Sequence, residues 1–247
     1  GPPEKPGVAY ADLFTGLYGV IAVQAALAQR ARTGRGQHID MALYDTQLAV
    51  LANQAANWLI GGQTPRRMGN AHPNIVPYQV FRTSDGYFVL AVGNDQQFRK
   101  FCAATGLSGL ATDSRFVTNT DRLKNRDQLI PLLDAHLIQQ ATQHWISILE
   151  PVGVPCAPIN RLDQVFAHPQ VIHREMQVNL PHSSGTTAPL VANPIKFSGT
   201  KIEYAKGPPR RGEDTANILK SILKYDSAAI QDLSERRIID IGRPEVG

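Results

Sequence analysis

Two short runs of β-branched and aromatic residues, joined by a tight turn, constrain the fold of this chain most. The runs VPYQVFRT and YFVLAVG lie on either side of Ser84, Asp85 and Gly86. This composition around a glycine-containing turn predicts a β-hairpin. Helical patterns precede and follow the hairpin, so the chain is predicted to belong to the α/β class.

The segment that leads into the hairpin is unusual. Gly69-Asn70-Ala71-His72-Pro73-Asn74 is rich in turn-forming residues and contains one titratable side chain, His72. Such a segment has two interpretations, a plain connector or a loop that forms the wall of an active site. The residues alone do not decide between them.

The N-terminal region predicts a helix, a strand and a second helix. Apolar residues at helical spacing predict a helix from Ala11 to Arg32, with Asp12 or Thr15 as its cap. The TGRG segment that follows is interpreted as a helix-ending turn, with phosphate binding as the less favoured alternative. Alternation of side chains predicts a strand over residues 37–43, and a second helix is expected from Asp45 or Thr46 through Leu59.

The remaining elements follow from similar patterns. Residues 107–120 are expected to be irregular, and Pro131 is expected to kink or break a helix over residues 121–140. Three β-like runs are expected within residues 176–204, with a turn at residues 183–185. The other predicted helices are 94–104, a short one from Thr142, 162–166, 169–175, 214–223 and 227–239.

Composition excludes several classes of protein. Of 247 residues, 43% are hydrophobic, so a folded globular chain is expected. The longest apolar run, LYGVIAVQAALA, is shorter than the roughly 18–20 residues of a membrane span, and no signal-peptide pattern is present. Two isolated cysteines favour a reducing compartment, and a cytoplasmic location is expected. The net charge is +4, and the lysines and arginines are scattered along the chain, so nucleic acid is not expected as a partner.

No self-contained catalytic motif stands out. The chain lacks a Walker loop, GxGxxG and GxSxG. His168 and His173 flank a proline at poor ligand spacing, so no metal site is expected. Cys102 is interpreted as a core residue. The carboxylates Asp12, Asp40 and Asp45 are more readily interpreted as helix caps and a strand-end residue than as a catalytic group.

Several longer segments, in this order, resemble the family III CoA-transferases. They are GVAYADLFTGLYGVIAVQAAL, RTGRGQHIDMALYDTQLAVLANQAANWL, GNAHPNIVPYQVFRTSDGYF, GVPCAPIN and FAHPQVIHREM. The likeness extends from about Gly7 to the C-terminus. The loop GNAHPNIVPYQ most resembles the branch that moves CoA between succinate and glutarate-like dicarboxylates.

The resemblance implies a fold larger than this chain. Family members are interlocked homodimers, with a Rossmann-like large domain built from both ends of the sequence and a small α+β domain from the middle. The chain is therefore expected to be a C-terminal portion of that fold. Residues 1–62 would end the first segment of the large domain, 63–175 would form the small domain, and 176–247 would return to the large domain.

The resemblance also implies a reaction. Family members carry an acyl group on an aspartate, as a mixed anhydride and then as a thioester. That aspartate lies upstream of the motif that begins at Gly7, so no catalytic residue is expected within this chain, and the chain alone is expected to be inactive. Asp12 and Asp40 match other positions of the motif. The resemblance implies an acyl-CoA, with succinyl-CoA the expected one, and a small carboxylic acid as ligands. Coenzyme A enters as part of the thioester substrate, and no separate cofactor is expected.

The resemblance finally gives the loop a role. In formyl-CoA transferase the equivalent loop is a run of glycines that closes over the aspartate. Gly69, Asn70, His72 and Asn74 are therefore the candidate substrate-loop residues, and His72 and Asn74 would donate hydrogen bonds to a substrate carboxylate.

Two alternatives to the transferase function remain. They are an acyl-CoA racemase of the same fold and a non-catalytic assembly module.

Overall fold

A computed structural model describes residues 4–242. The chain forms two compact units, Gly1–Pro158 and Ile159–Gly247. The predicted three-part division concerns the complete family fold, and it stays a prediction.

The first unit begins with three helices, α1 (Tyr10–Thr33), α2 (Leu43–Ala49) and α3 (Asn53–Leu59). Helix α1 ends as predicted, because Gly34 adopts a left-handed conformation (φ 71°) and its N–H bonds the carbonyl of Arg30. Its start was predicted wrongly, since Ala9 is the N-cap and no side chain caps it.

The region after α1 differs from the prediction in two ways. The strand expected at residues 37–43 does not form. Residues 37–42 have no regular secondary structure and pair with no strand within residues 4–242, and Leu43 begins α2. Alternation shows which residues can form a strand, but a strand also needs a hydrogen-bonded neighbour. The second helix is interrupted at Ala52, whose φ of 50° is incompatible with a continuous helix.

Helix α1 is long and apolar enough to cross a membrane by length and composition alone. It has 24 residues, its most apolar 18-residue window has a mean hydropathy of 1.5, and none of its residues is buried. The run LYGVIAVQAALA underestimates this property, because Gly16 and Gln29, which bound the run, do not end the helix. Its large exposed side chains are Tyr10, Leu13, Phe14, Leu17, Tyr18, Val20, Ile21, Val23 and Leu27.

The predicted hairpin is confirmed. Strands β1 (Tyr78–Arg82) and β2 (Tyr87–Ala91) pair antiparallel, with Val80 opposite Val89. Strand β3 (Cys156–Pro158) pairs with the other edge of β2, so the order is β1-β2-β3. The turn that leads into β3 uses Gly153 at φ 75°.

Helices cover this small sheet. They are α4 (Asp95–Ala104), α5 (Ser108–Thr112), α6 (Asn119–Lys124), α7 (Arg126–Leu137) and α8 (Thr142–Leu149), followed by a 3₁₀ turn at Glu150–Val152. The expected irregular segment thus contains α5, and the long predicted helix divides at Asn125 rather than at Pro131, which lies inside α7.

The core of the first unit lies between this sheet and the helices. Its members come from β1, β2 and the faces of α4, α7 and α8 that turn inward. The fully or almost fully buried side chains include Phe81, Phe88, Leu90, Phe98, Phe101, Cys102, Phe116, Leu129, Leu133, Leu137 and Leu149. The interpretation of Cys102 as a core residue is confirmed.

The second unit contains short elements. They are α9 (Leu162–Ala167), α10 (Pro169–His173), β4 (Gln177–Pro181), β5 (Thr187–Val191), α11 (Thr215–Ser221) and α12 (Ser227–Glu235). Strands β4 and β5 form the predicted second hairpin. The third β-like run, at residues 195–199, pairs with no strand in the described chain.

Candidate active site

Both sides of the Gly69–Asn74 loop are fastened to strand β1. The N–H of His72 donates to the carbonyl of Tyr78 over 2.8 Å, and the side-chain oxygen of Asn70 accepts from the N–H of Val80 over 2.9 Å. Gly69 adopts φ 59°, the left-handed region that favours glycine. The loop is therefore a fixed turn packed beside the sheet edge.

The imidazole of His72 has a defined environment. Its ring stacks on Tyr78, with centroids 5.2 Å apart and planes 16° apart. Its Nδ1 accepts the N–H of Asn74 over 3.1 Å. Since Nδ1 accepts, the neutral ring carries its proton on Nε2, and Nε2–H is the donor that remains for a ligand.

Asn74 is joined to helix α3 by a reciprocal amide pair. Asn74 Nδ2 donates to Asn57 Oδ1 over 2.9 Å, and Asn57 Nδ2 donates to Asn74 Oδ1 over 3.2 Å. The Asn74 side chain is therefore already engaged by the protein, so it fixes the loop in this structure.

Side chains of α6 and α7 hold the backbone of the same loop. Arg126 Nη2 donates to the carbonyls of His72 (2.6 Å) and Pro73 (3.3 Å). Asn119 Nδ2 donates to the Asn74 carbonyl over 2.9 Å, and Asn119 Oδ1 accepts from the N–H of Val76 over 3.1 Å.

Below the loop, Arg122 of α6 is fully buried and links this helix to α4 and to the segments that precede β1 and α6. Its Nε donates to the Val76 carbonyl (2.6 Å), Nη1 to the Phe116 carbonyl (3.0 Å) and Nη2 to Asp95 Oδ1 (2.8 Å). Its guanidinium carbon lies 4.4 Å from the ring centroid of Phe98. Burial lowers the pKa of Arg122, and the hydrogen bond to Asp95 opposes that shift.

The loop borders an open cleft of about 1200 Å³. Gly69, Asn70 and Asn74 line this cleft, whereas His72 is not among its lining residues. The charged lining residues are Arg66, Arg67, Lys124, Arg126 and Asp127. Positive charge therefore exceeds negative charge around the cleft, which favours an anionic ligand.

The described part of the chain holds no cluster of metal-ligating side chains. His168 has another role, because its Nδ1 accepts the N–H of Gln170 and caps α10. Burial raises the pKa of Cys102 to about 12 and that of Cys156 to about 11, where Glu150 adds to the shift. Neither thiol therefore has the low pKa of a nucleophile.

Sequence reasoning found the loop and missed the residues that hold it. Asn57 is 17 residues from Asn74, and Arg126 is 54 residues from His72. No local pattern links such distant positions. Asn119 and Arg126 are the first residues of α6 and α7, and polar side chains at such positions are usually helix caps or solvated surface residues.

The comparisons with known proteins identify the class. The sequence matches CoA-transferase family III over residues 1–215. The chain belongs to this family, which confirms the resemblance inferred from its motifs.

Two individual members of the family are similar to this chain over nearly its whole length. The chain is 45% identical over 229 residues to the succinate–glutarate CoA-transferase of Agrobacterium fabrum, which covers 93% of this chain and 57% of the relative. It is 40% identical over 240 residues to human succinyl-CoA:glutarate CoA-transferase, covering 97% and 55%. The chain spans just over half the length of these relatives.

A solved structure agrees with this assignment. The crystal structure of a CAIB/BAIF family protein from Brucella suis matches with a TM-score of 0.71 and 48% identity, over 89% of this chain and 57% of that protein. The expected fold class, a partial family III CoA-transferase fold of mixed helices and strands, is confirmed.

Proposed function

We propose that the complete protein containing this chain transfers CoA between succinyl-CoA and a dicarboxylic acid of the glutarate type. One observation carries the proposal. The chain shares 40–45% identity with two proteins named as succinate–glutarate CoA-transferases, over nearly its whole length. The loop that carries His72 and the positively charged cleft beside it support an anionic acid as the ligand.

The proposed reaction proceeds through an aspartate expected upstream of Gly7. The aspartate carboxylate attacks the thioester carbonyl of succinyl-CoA, which expels the CoA thiolate and forms a mixed anhydride. The thiolate then attacks the aspartyl carbonyl, which releases succinate and leaves an aspartyl thioester. The carboxylate of the acceptor acid then attacks the aspartyl thioester, which expels the CoA thiolate and forms a second mixed anhydride. The thiolate attacks the acceptor's carbonyl carbon in that anhydride, which releases the new acyl-CoA and restores the aspartate.

The loop's proposed role is to keep water away from these intermediates. Anhydrides and thioesters hydrolyse when water reaches them, so a wall that excludes water and admits carboxylates favours transfer. The hydrogen bonds to β1, α3, α6 and α7 support a fixed wall. The Nε2–H of His72 is the loop donor we assign to a substrate carboxylate.

We further propose that the complete protein is a homodimer, as the family resemblance implies. The exposed apolar side chains of α1 support contact with more protein than this chain provides. Intact-mass and light-scattering measurements on the purified protein test both its length and its assembly.

The first experiment incubates the complete protein with succinyl-CoA and glutarate and follows glutaryl-CoA and free CoA by chromatography. The amount of glutaryl-CoA formed is expected to equal the amount of succinyl-CoA consumed, with little free CoA. This 247-residue chain by itself is the matched control, and no transfer is expected from it, because the catalytic aspartate is expected outside it. Transfer by this chain alone would contradict that placement.

A separate incubation of the complete protein with an α-methylacyl-CoA in D₂O tests the racemase alternative. A racemase removes the α-proton of its acyl-CoA, so it would exchange that proton with deuterium from D₂O. A transferase acts at the carbonyl and leaves the α-carbon unlabelled. Label uptake in an α-methylacyl-CoA without glutaryl-CoA formation would overturn the proposed function.

A further inference from the structure

Arg126 is the most unusual cation at the cleft. Lys124 and Arg66 are exposed there, so water solvates their charges. Arg126 is half-buried, and burial lowers the pKa of its guanidinium. A positive charge that is partly removed from water is costly unless an anion compensates it.

The protein supplies no such anion in the described residues. The hydrogen bonds of Arg126 run from Nη2 to two neutral carbonyls, those of His72 and Pro73. Asp127 favours the charged form through space, but it forms no ion pair with Arg126. Three of the five N–H donors of the guanidinium, two on Nη1 and one on Nε, have no acceptor within residues 4–242.

The position of this charge is fixed. The same Nη2 contacts that hold the loop also hold the guanidinium, so Arg126 loses little further freedom when it binds a ligand. It lines the same cleft as Asn70 and Asn74. A preorganised, half-buried and unpaired guanidinium in an open cleft fits a carboxylate.

We propose that Arg126 binds the non-reacting carboxylate of the dicarboxylic acid and thereby determines the preference for dicarboxylates over monocarboxylates. This inference rests on the proposed transferase function. Arg126 would act through its free N–H donors on the ligand, while Nη2 keeps the loop in place. The carboxylate that forms the thioester would lie at the other end of the acid.

The test compares Arg126→Gln, Arg126→Lys and the control Arg99→Gln in the complete protein. Glutamine removes the charge, and lysine keeps the charge and a donor. Arg99 is exposed on α4 and does not line the cleft, so its substitution removes one positive charge elsewhere. For each protein, calorimetry gives the affinity for glutarate and for butyrate, and kinetics give kcat/KM for both acceptors with succinyl-CoA as donor.

The expected result is a change in preference. Arg126→Gln should lower the glutarate-to-butyrate ratio of affinity and of kcat/KM at least tenfold. Both acceptors share the donor succinyl-CoA, so any effect of the substitution on donor binding cancels in the ratio of kcat/KM. Arg126→Lys should lower the glutarate-to-butyrate ratio less than Arg126→Gln does. Arg99→Gln should leave the ratio unchanged. A purely structural role for Arg126 would reduce both acceptors equally, and an unchanged ratio in Arg126→Gln would overturn the inference.

The calorimetric arm separates this inference from the proposed function. Glutarate binding that depends on Arg126, in a protein that transfers no CoA to glutarate, would leave the carboxylate site standing and reject the proposed activity. Transfer to glutarate with a preference that does not depend on Arg126 would support the proposed activity and reject the carboxylate site. A loss confined to succinyl-CoA affinity would assign Arg126 to the CoA thioester and overturn the inference.

Discussion

Arg122 and Asp95 form an ion pair of 2.8 Å in which the arginine side chain is fully buried and the aspartate side chain is 40% exposed. The charge of the buried partner is thus balanced by a carboxylate that still reaches solvent. The pair joins α6 to the start of α4. The other donors of the same guanidinium satisfy backbone carbonyls beneath the candidate loop.

Replacing Arg122 with methionine should destabilise the protein by about 2–5 kcal/mol, because two buried carbonyls lose their donors at about 1–3 kcal/mol each. Arg115→Met is a matched control. Arg115 also pairs with an aspartate, Asp113, and also stacks on a phenylalanine, but its side chain is 50% exposed. Its loss should cost less than about 1 kcal/mol. Urea denaturation measures both, and equal losses would contradict the role of burial.

The amide pair of Asn57 and Asn74 should show coupling. Alanine at either position removes the same two hydrogen bonds, so the double variant should be less destabilised than the sum of the single variants by about 0.5–1.5 kcal/mol. Hydrogen exchange of residues 69–76 should speed up in each single variant. As a control, a double-mutant cycle of Asn57 with the exposed Gln143 of α8 should be additive. Additivity in the Asn57–Asn74 cycle would show that the amide pair does not stabilise the loop.

His72 offers two separable contributions. His72→Ala in the complete protein should lower CoA transfer or raise acyl-CoA hydrolysis, since water gains access to the intermediates. His72→Asn retains an acceptor near the place of Nδ1, and His72→Gln retains a donor near the place of Nε2. Recovery by glutamine would support hydrogen bonding to substrate, and recovery by asparagine would support loop shape. Unchanged transfer and hydrolysis in the alanine variant would reject the role of the loop.

Asp85, in the turn of the first hairpin, should make the protein sensitive to acid. Its carboxylate accepts the N–H of Thr142 (2.8 Å) and the hydroxyl of Thr83 (3.1 Å), and these bonds lower its pKa below the ordinary 3.8. A lowered folded-state pKa contributes stability that is complete above the unfolded value and is lost as pH falls through the folded value. Asp85→Asn should therefore lose less stability than the original protein between about pH 5 and pH 2. Parallel denaturation midpoints over that range would contradict this.

The two thiols should react slowly. At pH 8 a thiol with a pKa of about 11 is ionised roughly two orders of magnitude less than a free cysteine, so alkylation of Cys156 by iodoacetamide should slow in proportion. Cys102 is buried and should be labelled only after unfolding. Mass spectrometry of a labelling time course gives both rates. Rapid labelling of Cys102 under native conditions would show that the core around it opens.

Local patterns predicted the elements whose stability is local. Alternation and a turn sufficed for β1 and β2. The helix predicted over residues 94–104 forms as α4, and Asn94 caps it by accepting the N–H of Gln97. The same reasoning failed at residues 37–43 and at Ala52. A strand depends on a partner far away in sequence, and a break in a helix depends on backbone geometry that composition does not reveal.

The sequence by itself determined the α/β class, the first hairpin and, through its motifs, membership of CoA-transferase family III. It also marked the Gly69–Asn74 loop as a candidate, because turn-forming residues around one histidine are a local signal. Only the tertiary structure decided that Asn57, Asn119 and Arg126 hold this loop, and that Arg126 presents an unpaired charge to the cleft. Hydrogen bonds and the burial of a charge depend on contacts between residues that are far apart in sequence, and only the folded chain brings those residues together.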